Sequence, residues 1–127
     1  RGNNAGMWMA SGGYDYIAKA LFERATAFDA FFLEYDDARS GSFEPLAGAP
    51  DDKQVVLGLV STKSPALETP EELTARIDDA ARFFARDQLG LSTQCGFASI
   101  AAGNPITEAE EERKLRLVAD TAHAVWG

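Results

Sequence analysis

Short apolar runs alternate with amphipathic stretches along this chain. Residues 27–34 form a first run, apolar on both faces and closed by Glu34. Residues 54–60, Gln54-Val-Val-Leu-Gly-Leu-Val60, form a second run that also lacks a polar face. Residues 89–92 form a third, leading into Cys95. Runs of this length without alternation are the signature of parallel strands covered by helices. Between and around them the period becomes helical. Residues 14–26 read as a helix, with Asp15 serving its N-terminus and Ile17, Leu21 and Phe22 on one face. Thr69-Pro70-Glu71-Glu72 is a complete helix start: a threonine cap, a proline at the first helical position and a glutamate to close the capping box. That helix extends to about Arg86 and buries Leu73, Ile77, Ala80 and Phe84. Thr107 and Glu110 make a second capping box. The last helix spans 108–125, with Leu115, Val118, Ala122 and Val125 inward and its charges, from Glu110 to Arg113 and Lys114, outward. Residues 1–13 and the acidic stretch 35–53 read as loops, punctuated by glycine and proline.

Strands alternating with helices predict an α/β chain with a parallel sheet and right-handed crossovers. Three such units do not close a (β/α)8 barrel, which takes eight units and roughly 250 residues. They suit a small open sheet, or the last three units of a barrel. A length of 127 residues gives one domain with a real core. With 46% hydrophobic and 25% charged residues, the composition is that of a soluble globular protein. The net charge of −8 and the lack of a basic stripe argue against nucleic acid and anionic lipid as partners. No apolar stretch approaches the ~20 residues of a membrane span. The first ten residues carry no signal-peptide pattern. The chain does not begin with Met, which marks a processed product, a fragment or the ordered part of something longer. Its one cysteine makes no intramolecular disulfide and fits a reducing cytoplasm.

The chemistry concentrates at two strand ends. Cys95 follows a short apolar run and polar residues, and Glu34 follows Phe31-Phe32-Leu33. A thiolate and a carboxylate at neighbouring strand ends are half of a zinc site. The bland alternatives are a buried inert thiol at Cys95 and a Glu34 paired with Arg39 or Lys63. Tyr35, Asp36 and Asp37 either line a pocket or form a solvated acidic loop. His123, near the end of the last helix, is expected to be a helix-end cation. Trp8 and Met9 fall in the opening loop, and Trp126 is expected to pack the last helix. Ser11-Gly12-Gly13 follows no strand, which argues against a phosphate loop.

At Phe31-Phe-Leu-Glu-Tyr-Asp-Asp37, with Gln94-Cys-Gly-Phe97 downstream, the chain resembles the C-terminal part of cobalamin-independent methionine synthase, closest to its shorter single-barrel relatives. Arg39-Ser40, the Gly58 strand leading to Ser64-Pro65, and Cys95-Gly96 carry the likeness, which extends from Arg1 to Trp126. The resemblance implies a (β/α)8 barrel, of which residues 1–127 are the C-terminal portion. It implies zinc at the strand ends, holding the thiol of homocysteine for attack on the methyl group of a methylated folate. By that resemblance Glu34 is the glutamate ligand and Cys95 the last cysteine ligand, while a His-x-Cys pair lies just before Arg1. Where the longer enzymes carry Asp-x-His, with a histidine for proton transfer, this chain reads Ser61-Thr62-Lys63. Lys63 is therefore the candidate catalytic residue, on condition that burial or neighbouring charge lowers its pKa.

The resulting expectation is a cytoplasmic zinc methyltransferase acting on small molecules. The alternatives are methyl transfer between another thiol and another carrier, or a non-catalytic α/β domain. Taken alone, the chain is expected to bind zinc weakly and to self-associate, since ending a barrel after three strands exposes strand edges and barrel-facing side chains such as Val56 and Leu91.

Overall fold

The computed structural model describes residues 3–98 and 100–127. Arg1 and Gly2, at the start of the segment read as a loop, lie outside the described residues, as does the side chain of Trp8. The loop expectation is otherwise corrected: β1 (Asn3–Asn4) and β2 (Met7–Trp8) pair as a small antiparallel hairpin. Ala5 and Gly6 turn it with positive φ angles of 49° and 83°.

The main sheet has three parallel strands in the order β3 (Ala30–Glu34), β4 (Gln54–Val60), β5 (Leu89–Thr93). Each strand neighbours the next in sequence, as repeated β/α units require. Three helices accompany them: α1 (Ala18–Arg24), α2 (Pro70–Ala80) and α3 (Glu108–Trp126). Both capping boxes form, at Thr69/Glu72 and Thr107/Glu110. Each box satisfies backbone N–H groups that the first turn of its helix leaves without partners.

The period of two in the strands separates the faces. Phe31 and Leu33, Val55 and Leu57, and Leu89 point into a core completed by Phe22, Leu73, Ile77, Ala80, Phe84 and Leu117. All four positions expected inward on α2 are buried, although regular helix stops at Ala80 and Phe84 is reached through turns. The crossover from β3 to β4 has no α-helix. Two 3-10 turns, Ala38–Ser40 and Glu44–Gly48, replace it, and Phe43 and Leu46 fill the core from there.

The opposite face is open. Phe32 is 72% exposed, and in register with it lie Val56 and then Gly90. Val56 thus faces outward as expected, but Leu91 does not: it pairs with Leu57 and packs against the core.

Other differences have local causes. Regular α1 starts at Ala18, with Ile17 at the cap and 53% exposed, and Asp15 makes no cap hydrogen bond. Tyr14 is instead drawn towards β3, with its ring 5.1 Å from that of Tyr35. Strand β3 starts at Ala30, leaving Phe28 exposed. On α3 the inward seam runs through Lys114, Leu117 and Thr121, with Val118 and Val125 at its flank, while Leu115 is exposed. Lys114 is fully buried because its ammonium meets Glu68 Oε2 at 3.0 Å and the carbonyl of Ala66. A pattern that counts only apolar residues misses a lysine satisfied in this way. His123 is exposed in the last turn of α3, the setting expected of a helix-end cation.

Candidate active site

Strand register places Glu34 opposite Gly58, and Gly58 opposite Ser92. The two outer strands therefore carry Glu34 and the approach to Cys95, with a glycine between them. A Cβ at Gly58 would lie 3.0 Å from Gln94 Cα and 3.1 Å from the carbonyl oxygens of Leu33 and Thr93. A side chain there would push the flanking backbones apart by a few tenths of an ångström. Across this gap the Cys95 thiol donates a hydrogen bond to Glu34 Oε1 at 3.0 Å. The residues singled out at opposite ends of the chain's chemistry thus meet. Beside them, on the open face, Phe32, Gly58, Ser92, Cys95 and Gly96 line a cavity of about 390 Å³. A larger one of about 540 Å³ lies between α1 and the Glu44–Gly48 turn, lined by Asp15, Lys19 and Glu23 and away from the thiol.

Glu34 is held from behind. Its backbone N–H donates to the hydroxyl of Tyr14 at 2.7 Å. Neither Arg39 nor Lys63 is the residue its carboxylate meets across the gap. Arg39 instead forms a fork on Asp37, with Nε at 3.0 Å from each carboxylate oxygen, and donates to the Ala10 carbonyl. Burial pushes the Asp37 carboxyl up, but the hydrogen bonds and charge of Arg39 outweigh it and hold Asp37 below its ordinary range.

Lys63 is 11% exposed and pairs with Asp36, whose side chain is 3% exposed, while Asp37 lies 3.6 Å away. The acidic segment after β3 is thus an ordered wall and not a solvated loop. Tyr35 is fully buried in the core behind it. Gly6 of the hairpin packs over the same wall: a Cβ there would lie 2.8 Å from the Lys63 carbonyl and 2.6 Å from Pro105.

Burial, then the hydrogen bond to Glu34 and that carboxylate's charge, push the Cys95 thiol up from 9.0 to about 11, while Lys63 pulls the other way. At about 11 the thiol is almost wholly protonated at neutral pH, and the thiolate is the nucleophilic form.

The family of the chain can be read from these features together with sequence comparison. The family model for the catalytic domain of cobalamin-independent synthase matches residues 14–122, a span that contains Glu34, Lys63 and Cys95. The chain belongs to this family. Two Bacillus subtilis (strain 168) proteins, YxjH and YxjG, both uncharacterized, are 50% and 49% identical over 127 residues. Those alignments cover 99% of this chain and 33% of each relative, so the chain spans about a third of their length. Among solved structures, a Listeria monocytogenes protein provisionally named a vitamin-B12-independent methionine synthase matches with 34% identity and a TM-score of 0.71. That match covers 91% of this chain and 33% of the other. A B12-independent methionine synthase from Shewanella sp. W3-18-1, in complex with selenomethionine, has the same fold at 23% identity and a TM-score of 0.71. It covers 88% of this chain and 30% of that one.

The donors of the Cys95–Glu34 pair can be set against the geometry that zinc requires. Sulfur and oxygen at adjacent corners of a tetrahedral zinc, with bonds of about 2.3 and 2.1 Å, stand about 3.6 Å apart. The observed 3.0 Å therefore needs only a small opening, and both donors are types that zinc prefers. Among the described residues, no group of three or more His, Cys, Asp or Glu is placed to hold a metal. Glu34 and Cys95 fit two corners, and the described residues supply no third.

Sequence reasoning missed Tyr14, Thr62, Gln94 and Asn104. Thr62, Gln94 and Asn104 are buried polar residues at or beside strand ends. Tyr14 had one available signal, an aromatic at the start of a helix whose apolar stripe it does not join.

Proposed function

We propose that this chain is the C-terminal part of a zinc-dependent thiol methyltransferase, whose thiol is homocysteine, whose donor is a methylated folate and whose product is methionine. The observation that supports it best is the 3.0 Å contact between Cys95 Sγ and Glu34 Oε1, inside a domain of the cobalamin-independent synthase family. Membership supports the methyltransferase class; the open cavity beside the pair has room for a small thiol. Bound by this pair, zinc would supply positive charge that favours the thiolate form of an incoming thiol near neutral pH.

In this reading Glu34 and Cys95 hold the metal, and Tyr14 fixes Glu34 through its backbone. In the reaction a carbon–sulfur bond forms to the acceptor, the bond from methyl to donor nitrogen breaks, and that nitrogen takes up a proton. Lys63 is the chain's candidate for the proton-transfer side, held at the wall by Asp36 and Asp37. The remaining zinc ligands come from outside the described residues. The open face bearing Phe32, Val56 and Gly90 is the interior of a (β/α)8 barrel, which the other strands of the parent enzyme cover.

Cys95→Ser in the parent enzyme tests the reading. Serine is close in size but a poor zinc ligand at neutral pH. Zinc content and methyl transfer are expected to fall together with the fold intact. A zinc-loaded Cys95→Ser enzyme of full activity would rule out the ligand role.

A further inference from the structure

The strand-end turns that carry Lys63 and Cys95 are also joined to each other through buried side chains. Thr62, the neighbour of Lys63, is fully buried, and Gln94, the neighbour of Cys95, is 8% exposed. The Thr62 hydroxyl donates to Gln94 Oε1 at 3.1 Å. Asn104 completes the arrangement: its Nδ2 donates to the Thr62 carbonyl at 2.8 Å, and its backbone N–H to the Phe97 carbonyl at 3.0 Å. From the outer side, the Ser61 N–H donates to Glu68 Oε1 at 2.8 Å, and Glu68 is held by Lys114.

The sheet does not need the Thr62–Gln94 bond. The β4–β5 ladder, which shifts register between Gly58 and Val60, pairs without it and is closed at its end by the Gln94 N–H donating to the Val60 carbonyl at 2.8 Å. What the side-chain bond adds lies above the ladder. It fixes how the turn bearing Lys63 sits against the turn bearing Cys95. Neither turn is regular structure, so each would otherwise pivot on its own strand end. Buried polar groups at such a junction cost free energy unless satisfied, and these are.

We infer that Thr62 and Gln94 are positioning residues, clamped by Asn104, that set the placement of Cys95 relative to Lys63 and hence the metal affinity and turnover of the site. The inference rests on the zinc methyltransferase reading given above. Residues that orient metal ligands without touching the metal typically change affinity by 10–100-fold when replaced.

The test uses the parent enzyme with Thr62→Val, Thr62→Ser, Gln94→Met and Cys95→Ser. Zinc affinity is measured by competition with a chromogenic chelator, and kcat and KM separately. Circular dichroism and thermal melts identify the folded variants. Thr62→Val is near-isosteric but lacks the donor, and Thr62→Ser keeps it. Zinc affinity about tenfold or more weaker in Thr62→Val, with kcat falling and KM for the thiol nearly constant, and recovery in Thr62→Ser, is the expected result. Gln94→Met should reproduce the Thr62→Val pattern from the other end, and serves alone if Thr62→Val does not fold. A folded Thr62→Val or Gln94→Met enzyme with wild-type zinc affinity and kcat would overturn the inference. So would loss of melting temperature with no change in zinc affinity, since that is what a purely structural bond gives. Cys95→Ser separates the two levels. If it keeps zinc and activity, the metal-ligand reading itself falls; if it loses them while Thr62→Val is normal, only the positioning role falls.

Discussion

The contact between Cys95 and Glu34 makes a quantitative prediction for thiol reactivity in the metal-free chain. An ordinary thiol titrating at 9.0 is about 10% thiolate at pH 8, whereas one at about 11 is about 0.1% thiolate. The hundredfold loss of thiolate is partly offset, because a more basic thiolate is intrinsically more nucleophilic. With a Brønsted slope of about 0.4–0.5, that recovers nearly tenfold. Alkylation of Cys95 by iodoacetamide at pH 8 should therefore be roughly tenfold slower than in the urea-unfolded chain. The pH dependence is the sharper readout, since it does not depend on reagent access. The native rate should keep rising past pH 9, with its midpoint near 11. Glu34→Ala removes both the acceptor of the S–H bond and a negative charge, so the midpoint should move down. It should not return fully to 9.0, because burial, the largest cause, remains. Lys63→Met removes a cation that favours the thiolate, so it should move the midpoint up. A native profile with its midpoint near pH 9, or a Glu34→Ala profile identical to the parent's, would refute the geometry on which the proposed metal pair rests.

Other outcomes follow from the same contacts. In the parent enzyme, Lys63→Met should cut turnover by about 10²–10⁴-fold while leaving most of the zinc; an unchanged rate and pH–rate profile would remove Lys63 from the reaction. Tyr14→Phe deletes the hydroxyl that accepts the Glu34 N–H at 2.7 Å, so it should destabilise the fold by about 1–3 kcal/mol in urea titration, and a change under ~0.5 kcal/mol would show that the bond is not made in solution. The chain on its own should self-associate through its open face, where Phe32 is 72% exposed, and light scattering across a dilution series reads this directly. A stable monomer at micromolar concentration would mean that the sheet's open side needs no cover.

Local chemistry wrote much of this molecule into the sequence. The three parallel strands were legible because runs such as Gln54–Val60 admit no polar face, and a strand without one must be covered. The starts of α2 and α3 were legible because a capping box satisfies backbone donors within one turn and needs no distant partner. Glu34 and Cys95 stood out as reactive groups at the ends of apolar runs. What the sequence alone could not place were the partners. Lys63 found Asp36, and Arg39 found Asp37, in one acidic segment. Lys114 turned inward to Glu68, 46 residues away, and rotated the buried seam of α3 away from Leu115. Tyr14 left its helix to support Glu34. Thr62 met Gln94 across two strand ends. These choices are settled by which polar groups the closed fold brings together. A buried charge or hydroxyl takes whichever partner lies within about 3 Å, and that distance is fixed by strand register and helix packing, not by neighbours in the chain.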